Sequence, residues 1–302
     1  MIKLLQVEQK SKRKAITSYS AHPTPAGAIA NGDIRDPKLL VAMLKDMKQK
    51  SAFRGKAAAL AIDSRLCRIK AVTMPYLTRR ELPRAMQYEV EKHFSLTSNK
   101  YVAGFTLVEK NTGSNPPVYK YLLAAVEKER SDMITDLALQ AGLKPLSLEP
   151  DISADLRTVE HITSNRQQKI DSLTILLDLG FSRTRILILS GNRYRFHRSV
   201  NTGLNNFKQA SGKTAFKVAA QNLLQGIIQS TDFYMAHEEI LNVQNEDILA
   251  WGGSLYLPGL AEYLQKELGY KIKLLNILNL SNKKEGLLYP TAFGLAIRGW
   301  DS

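Results

Sequence analysis

Cysteine is all but missing from this sequence of 302 residues: Cys67 stands alone. One thiol cannot close an internal disulfide or build a cysteine-based zinc site, and a reducing cytoplasm is the simple reading. Long apolar runs are missing too. No stretch reaches the ~18 residues that a membrane-spanning helix needs. Near the N-terminus a short apolar stretch precedes Lys10, Lys12, Arg13 and Lys14. A secretory signal has the reverse order, so export by that route is not expected. Acidic residues are scarce beside basic ones, 28 against 42, giving a net charge of +14. Such an excess either suits a polyanionic partner (nucleic acid, an anionic membrane surface, a phosphate ligand) or serves solubility alone. With 44% hydrophobic and 23% charged residues, the chain is not largely disordered, and its length predicts two domains.

Several familiar chemistries lack their residues. There is no Gly-x-Ser-x-Gly nucleophile elbow. His22, His93, His161, His197 and His237 show no paired metal-ligand spacing. Ser211-Gly212-Lys213-Thr214 ends like a P-loop, but the required earlier glycine is Phe207, so the segment reads as loop. No carboxylate pair has the spacing of a general acid and base. Basic residues are scattered rather than striped, and no direct nucleic-acid function is expected. Cys67 lies in an apolar strand pattern and reads as an inert core residue.

The pattern of what is present is mixed α/β. Residues 2–7 and 15–20 read as a hairpin around a basic turn, and 22–34 as loop with short extended pieces. Asp36-Pro37 opens a helix through Lys50, with Asp as cap and Pro in the first turn. Strands follow at 56–62 and 66–74. Thr78-Arg79-Arg80-Glu81 is a capping box ahead of a helix whose Leu82, Met86, Val90 and Phe94 share a face. Pro83 is expected to cost that helix one backbone bond. Strands at 101–109 and 118–126, a helix at 127–141 and a strand at 143–148 complete a β-α-β-β-α-β block. A helix at 151–163 and a polar linker at 164–169 lead to an apolar strand, 173–177, entering Asp178-Leu179-Gly180. Strands at 184–189 and 194–200 follow a turn at Gly191-Asn192. A long helix at 217–237, a strand at 247–250 running into Gly252-Gly253, and helices at 257–268 and 291–299 end the pattern.

The order strand, basic turn, return strand occurs in both halves, a weak sign of duplication. The segments TPAGAIANGDIRDP, LDLGFSRTRILIL, AWGGSLYLPGLAEYLQKELG and YPTAFGLAIRG occur in this order. Together with MPYLTRRELPRAMQYEVEKHF and LAAVEKERSDMITDLALQAGLKP, they resemble the PilM family of cytoplasmic actin-like proteins in type IV pilus assembly, and its relative FtsA. The resemblance covers nearly the whole chain. It implies an actin-like (ribonuclease H-like) α/β fold of two lobes with an inserted α+β module in the first. Residues 1–65, with 150–168 and a C-terminal helix at 290–302, are then the first-lobe core; 66–149 are the inserted module and 170–289 the second lobe.

The same resemblance implies ATP with Mg²⁺. Asp178 and Gly180 match the family's second-lobe phosphate turn, with Ser182 and Thr184 at small hydroxyl positions. Gly252 and Gly253 match the glycine pair that lies against adenosine. Asp178 would act through Mg²⁺ and its waters, because a bare carboxylate facing phosphates repels them. For Asp178–Gly180 the alternative is an ordinary strand-end turn, and for Gly252-Gly253 a strand–helix turn. Trp251 reads as core rather than as a stacking platform.

Three departures from the family bear on this site. The sequence opens after the position of the first-lobe Asp-x-Gly-Ser turn. Between Asn201 and Phe216 no Ala-Glu-x-x-Lys element is visible. Phe181, Arg183 and Arg185 stand where relatives favour small and hydroxyl residues, and the arginines are expected to face solvent. ATP is therefore expected to bind weakly or not at all, without turnover, and no catalytic residue is assigned.

The resemblance also implies a partner: the N-terminal cytoplasmic tail of a PilN-like membrane protein, held between the first-lobe core and the inserted module. Residues 74–94 are candidates for lining that groove, with Leu82, Met86 and Val90 expected in the core. A cytoplasmic scaffold, peripheral at an inner-membrane assembly platform and touching anionic lipid, follows as the expected function. An active ATPase or small-molecule kinase would need a complete phosphate cradle and an acidic catalytic residue. An FtsA-like division protein would need a C-terminal amphipathic anchor, where this sequence ends Arg298-Gly299-Trp300-Asp301-Ser302.

Overall fold

The computed structural model describes residues 1–10, 13–51, 53–96, 100–163, 173–190, 193–208, 213–237, 247–278 and 285–298. The chain divides into two compact units, Met1–Arg157 with Thr291–Ser302, and Thr158–Pro290. Among the described residues no helix is long and apolar enough to cross a membrane.

In the first unit, β1 (Ile2–Lys10) and β2 (Arg13–His22) form an antiparallel hairpin with an irregularity between Gln6 and Val7. The next pieces, β3 (Ile29–Ala30) and β4 (Asp33–Ile34), are closed by Asn31 and Gly32, both at positive φ. That is the demand of a two-residue hairpin turn, which Asn-Gly meets at little cost. α1 (Pro37–Lys50) starts where expected: the Leu39 amide donates to the Asp36 carboxylate at 3.1 Å, and Pro37 takes the first position. Leu40, Val41 and Leu44 bury against Ala28 and, from α3 (Lys128–Gln140) and its cap, Leu137 and Ala141.

The inserted block has the predicted element order: β6 (Arg68–Pro75), α2 (Leu82–Phe94), β7 (Tyr101–Asn111), β8 (Val118–Glu127), α3 and β9 (Lys144–Pro150). Among the described residues, however, its sheet holds three antiparallel strands in the order β6-β8-β7. β9 leaves it and pairs in parallel with β5 (Ala57–Ile62), from Ala57 opposite Lys144 to Ile62 opposite Pro150. α3 turns its apolar face to α1, which carries β9 back to the earlier strand.

Leu82, Met86, Val90 and Phe94 pack onto Val72, Tyr121 and Leu123 as their spacing requires. The capping box is formed, with the Thr78 amide donating to Glu81 at 2.9 Å and the Glu81 amide to the Thr78 hydroxyl at 3.4 Å. The Thr78 hydroxyl holds the Glu81 carboxyl below its ordinary range. The regular helix begins at Leu82, with Pro83 one turn past the Thr78 cap, whose carbonyl accepts from the Leu82 amide at 3.0 Å.

The unit boundary falls within α4 (Asp151–Thr163) and again at the start of α8 (Pro290–Ala296). The second unit is a five-stranded sheet in the order β12-β11-β10-β13-β14. β10 (Leu173–Leu179), β11 (Thr184–Ser190) and β12 (Arg193–Val200) form an antiparallel meander. β13 (Asp247–Trp251) runs parallel to β10, and β14 (Ile272–Leu274) parallel to β13. All seven residues of β10 are buried. Among the described residues, α5 (Leu204–Lys208), α6 (Lys213–His237) and α7 (Leu260–Leu268) accompany the sheet. Ile175, Leu177 and Leu179 of β10 face Ala220, Leu223 and Ile227 of α6. α6 starts earlier than its apolar period suggested. The expected linker at 164–169, the turn at 191–192, and Ser211 and Gly212 lie outside the described residues.

Gly226 lets α6 lie tightly on β12: a Cβ there would meet both γ-carbons of Val200 at 2.7 Å. Valine is stiff and cannot swing away. Gly226→Ala is expected to cost about 1–3 kcal/mol in urea unfolding, although alanine is the better helix former. Combined with Val200→Ala, the loss should fall below the sum of the two single changes. Cys67, half-buried after the turn Ser64–Leu66, gives a second test. Burial first, then the charges of Asp151 and Asp63, push its thiol up to about 12. At neutral pH the folded protein should hold roughly a thousandfold fewer thiolates than the unfolded chain. An aromatic disulfide reagent should therefore label Cys67 rapidly in urea and very slowly in native buffer.

Candidate functional site

The turn between β10 and β11 is the focus of the site. Asp178 is the last but one residue of β10, on the sheet face opposite to that of Leu177 and Leu179. Gly180 closes the turn by donating its amide to the Arg183 carbonyl at 3.0 Å, and a Cβ on Gly180 would crowd that carbonyl at 2.9 Å. The carbonyls of the turn are also engaged. Gly180 accepts from the Ser254 hydroxyl at 2.7 Å and the Leu204 amide at 3.0 Å, and Phe181 from the Asn205 amide at 2.8 Å. Gly203 is needed beneath them, since a Cβ there would lie 2.6 Å from the Arg183 nitrogen and 2.7 Å from both carbonyl oxygens. The start of α5 thus holds the turn from below.

The sequence-predicted residues have different surroundings. Asp178 is buried, and its Oδ2 lies 2.5 Å from Arg185 Nη2. Its Oδ1 is buried with no hydrogen-bond partner among the described residues. Thr184 is fully buried and spends its hydroxyl on the Thr202 carbonyl at 2.8 Å. Ser182 is exposed beside Phe181 at the turn. Gly252 has φ +107°, and a Cβ there would meet the Leu179 carbonyl oxygen at 2.4 Å and Asp178 Oδ1 at 2.8 Å. Close backbone approach to β10 therefore demands this glycine. Gly253 opens the turn Gly253–Tyr256, and a Cβ there would only touch Leu288 at an ordinary 3.7 Å. Trp251 is fully buried, as expected.

The arginines depart from expectation. Arg183 and Arg185 are both buried, not solvent-facing. Arg183 donates to the Ser199 hydroxyl at 3.0 Å, and Arg185 pairs with Asp178. The four-residue turn fixes this register: Leu179 opposes Thr184, so Asp178 must oppose Arg185. That arithmetic was available from the turn length, whereas the roles of Gly203 and Ser254 left no sequence signal. Among the described residues no cluster of three or more His, Cys, Asp or Glu could hold a metal ion.

The first unit holds a second feature. A cavity of about 290 Å³ opens between α2 and β7, walled by Met86, Gln87 and Val90 on one side and Tyr101, Ala103 and Phe105 on the other. Among the described residues β7 is an end strand of its sheet, and it exposes Val102, Phe105 and Leu107 to about 40% each. An end strand can pair with another extended segment.

A family model described as "Type IV pilus assembly protein PilM" matches residues 1–214. No curated protein matches the chain. Among solved structures it is similar to a "PilM-PilN type IV pilus biogenesis complex", with 20% identity, 98% of this chain and 95% of that chain covered, and a TM-score of 0.80. It is also similar to the ethanolamine utilization protein EutJ from Carboxydothermus hydrogenoformans, with 13% identity, 99% and 90% covered, and a TM-score of 0.50. At these identities the structural likeness speaks for the fold, which is actin-like. The family model spans well over half of the sequence and includes both the inserted block and the turn from Asp178 to Thr184, and on that ground the chain belongs to the PilM family of type IV pilus assembly proteins.

Proposed function

We propose that this chain is a cytoplasmic scaffold of a type IV pilus assembly platform, peripheral at the inner membrane. It captures the N-terminal tail of a PilN-like membrane protein and turns over no ATP. The observation that carries this reading is the family match over residues 1–214, supported by the likeness to a PilM-PilN complex. The first unit offers a docking surface, which lies within the inserted block rather than between that block and the first-lobe core. An extended tail adds to the edge of β7, where main-chain bonds supply affinity, and places an apolar side chain in the cavity beside α2. One wall of that cavity belongs to the 74–94 stretch singled out from the sequence, while the mostly buried Met86 also serves the core. The net charge of +14 favours contact with anionic headgroups around the docked tail. In the second unit, the nucleotide residues Asp178, Gly180, Ser182, Thr184, Gly252 and Gly253 are a degenerate set, in which the Asp178 carboxylate and the Thr184 hydroxyl are already engaged.

The test is calorimetric titration of the full chain with a peptide of the tail. Phe105 is partly exposed, so Phe105→Ala should leave folding intact and weaken the peptide about tenfold or more. Absence of binding to the unmutated chain overturns the scaffold reading, and equal binding by both proteins moves the groove away from β7. Vesicles containing anionic lipid should bind the chain in a salt-weakened manner, and binding indifferent to salt argues against the lipid contact.

A further inference from the structure

A carboxylate that serves a hydrated Mg²⁺ must present an oxygen to the ion's waters. In Asp178 one oxygen is taken by Arg185, and the other, Oδ1, is buried and without a hydrogen-bond partner among the described residues. On one side, β11 sets Arg185 directly opposite, with Nη2 at 2.5 Å from Oδ2. On the other, β13 sets the fully buried Trp251 in register with Asp178. The Gly252 backbone then lies so close to Oδ1 that a single added methyl would stand 2.8 Å from it. Both charged side chains are more than nine-tenths enclosed, with 8% and 9% of their surface exposed.

We infer that Arg185 is a built-in counter-ion occupying the place of the metal at Asp178, so that the second unit needs no divalent cation. Two cations on one buried carboxylate repel strongly where the dielectric is low. To admit Mg²⁺ the pair would have to part, leaving a guanidinium buried without its partner carboxylate. The residues of this chain therefore do not fit the hydrated metal that the family resemblance implies. The inference rests on Asp178 being the residue that matches the family's metal-side carboxylate, and it gives the degenerate site a physical cause.

The full chain is melted in millimolar MgCl₂ and in EDTA at matched ionic strength, and titrated with ATP under both conditions. The unmutated protein is expected to melt at one temperature in both. Any ATP heat should be the same with and without the metal. Arg185→Met frees the carboxylate, so its melting temperature should fall and then recover partly with Mg²⁺. Should that variant fail to fold, Asp178→Leu combined with Arg185→Met removes both charges and should melt near the unmutated protein, with no response to Mg²⁺. A rise in melting temperature with Mg²⁺ in the unmutated protein that disappears in the double variant overturns the inference. So does Mg²⁺-dependent ATP binding that the double variant loses. Tail-peptide affinity, which depends on the first unit, is read on the same samples, so the scaffold reading and the counter-ion can fail separately.

Discussion

Arg157 carries the constraint on which the first unit depends. That unit is discontinuous: the chain leaves it along α4 and re-enters it along α8. The Arg157 guanidinium makes two parallel bonds to Glu149, each 2.9 Å, and a third to the Gly294 carbonyl at 2.7 Å. One side chain thus joins the end of β9, the body of α4 and the returning segment. Glu149 is almost wholly enclosed, and Arg298 approaches it at 3.5 Å from the same returning segment. Thr291 adds a bond to Asp155 at 2.6 Å. A bidentate pair is rigid and geometrically demanding, and loss of Arg157 would leave the enclosed Glu149 to the more distant Arg298. These contacts, with the buried Phe293 and Ile297, tie the C-terminal segment to the first unit.

A different economy governs the second unit. Its sheet is apolar on the α6 face and nearly continuous, which makes β10 a rigid support for the turn at its end. The turn has little freedom of its own. Its carbonyls are held by Ser254 and by the first amides of α5, and its underside is closed by Gly203. Gly252 is required by the backbone of β10 itself. A glycine that matches a ligand-contacting position in a family can thus be fixed by the fold itself.

Much of this was legible in the sequence because it is local. The helix at 151–163 was read with the bounds that the structure gives it, and the Asp36 cap and the Thr78–Glu81 box follow from side chains a few residues apart. Asp178 and Gly180 were recognisable because a strand running into an Asp-x-Gly turn leaves a mark in the chain. The pairing of β9 with β5 joins residues far apart in sequence, across a whole module, and no local pattern records it. The burial of Arg183 and Arg185 was missed for a related reason. Arginine in a turn and at a strand start is ordinarily solvated, and only the register across the hairpin shows that an aspartate waits opposite.

The Asp178–Arg185 pair also bears on how such a site can change over generations. Replacing Arg185 alone leaves a buried carboxylate without its counter-charge, and replacing Asp178 alone leaves a buried guanidinium. Each single step from this state toward an open metal-side carboxylate, or toward an apolar pair, passes through a destabilised protein. Stability therefore couples the two positions, so that a change at one favours a matching change at the other.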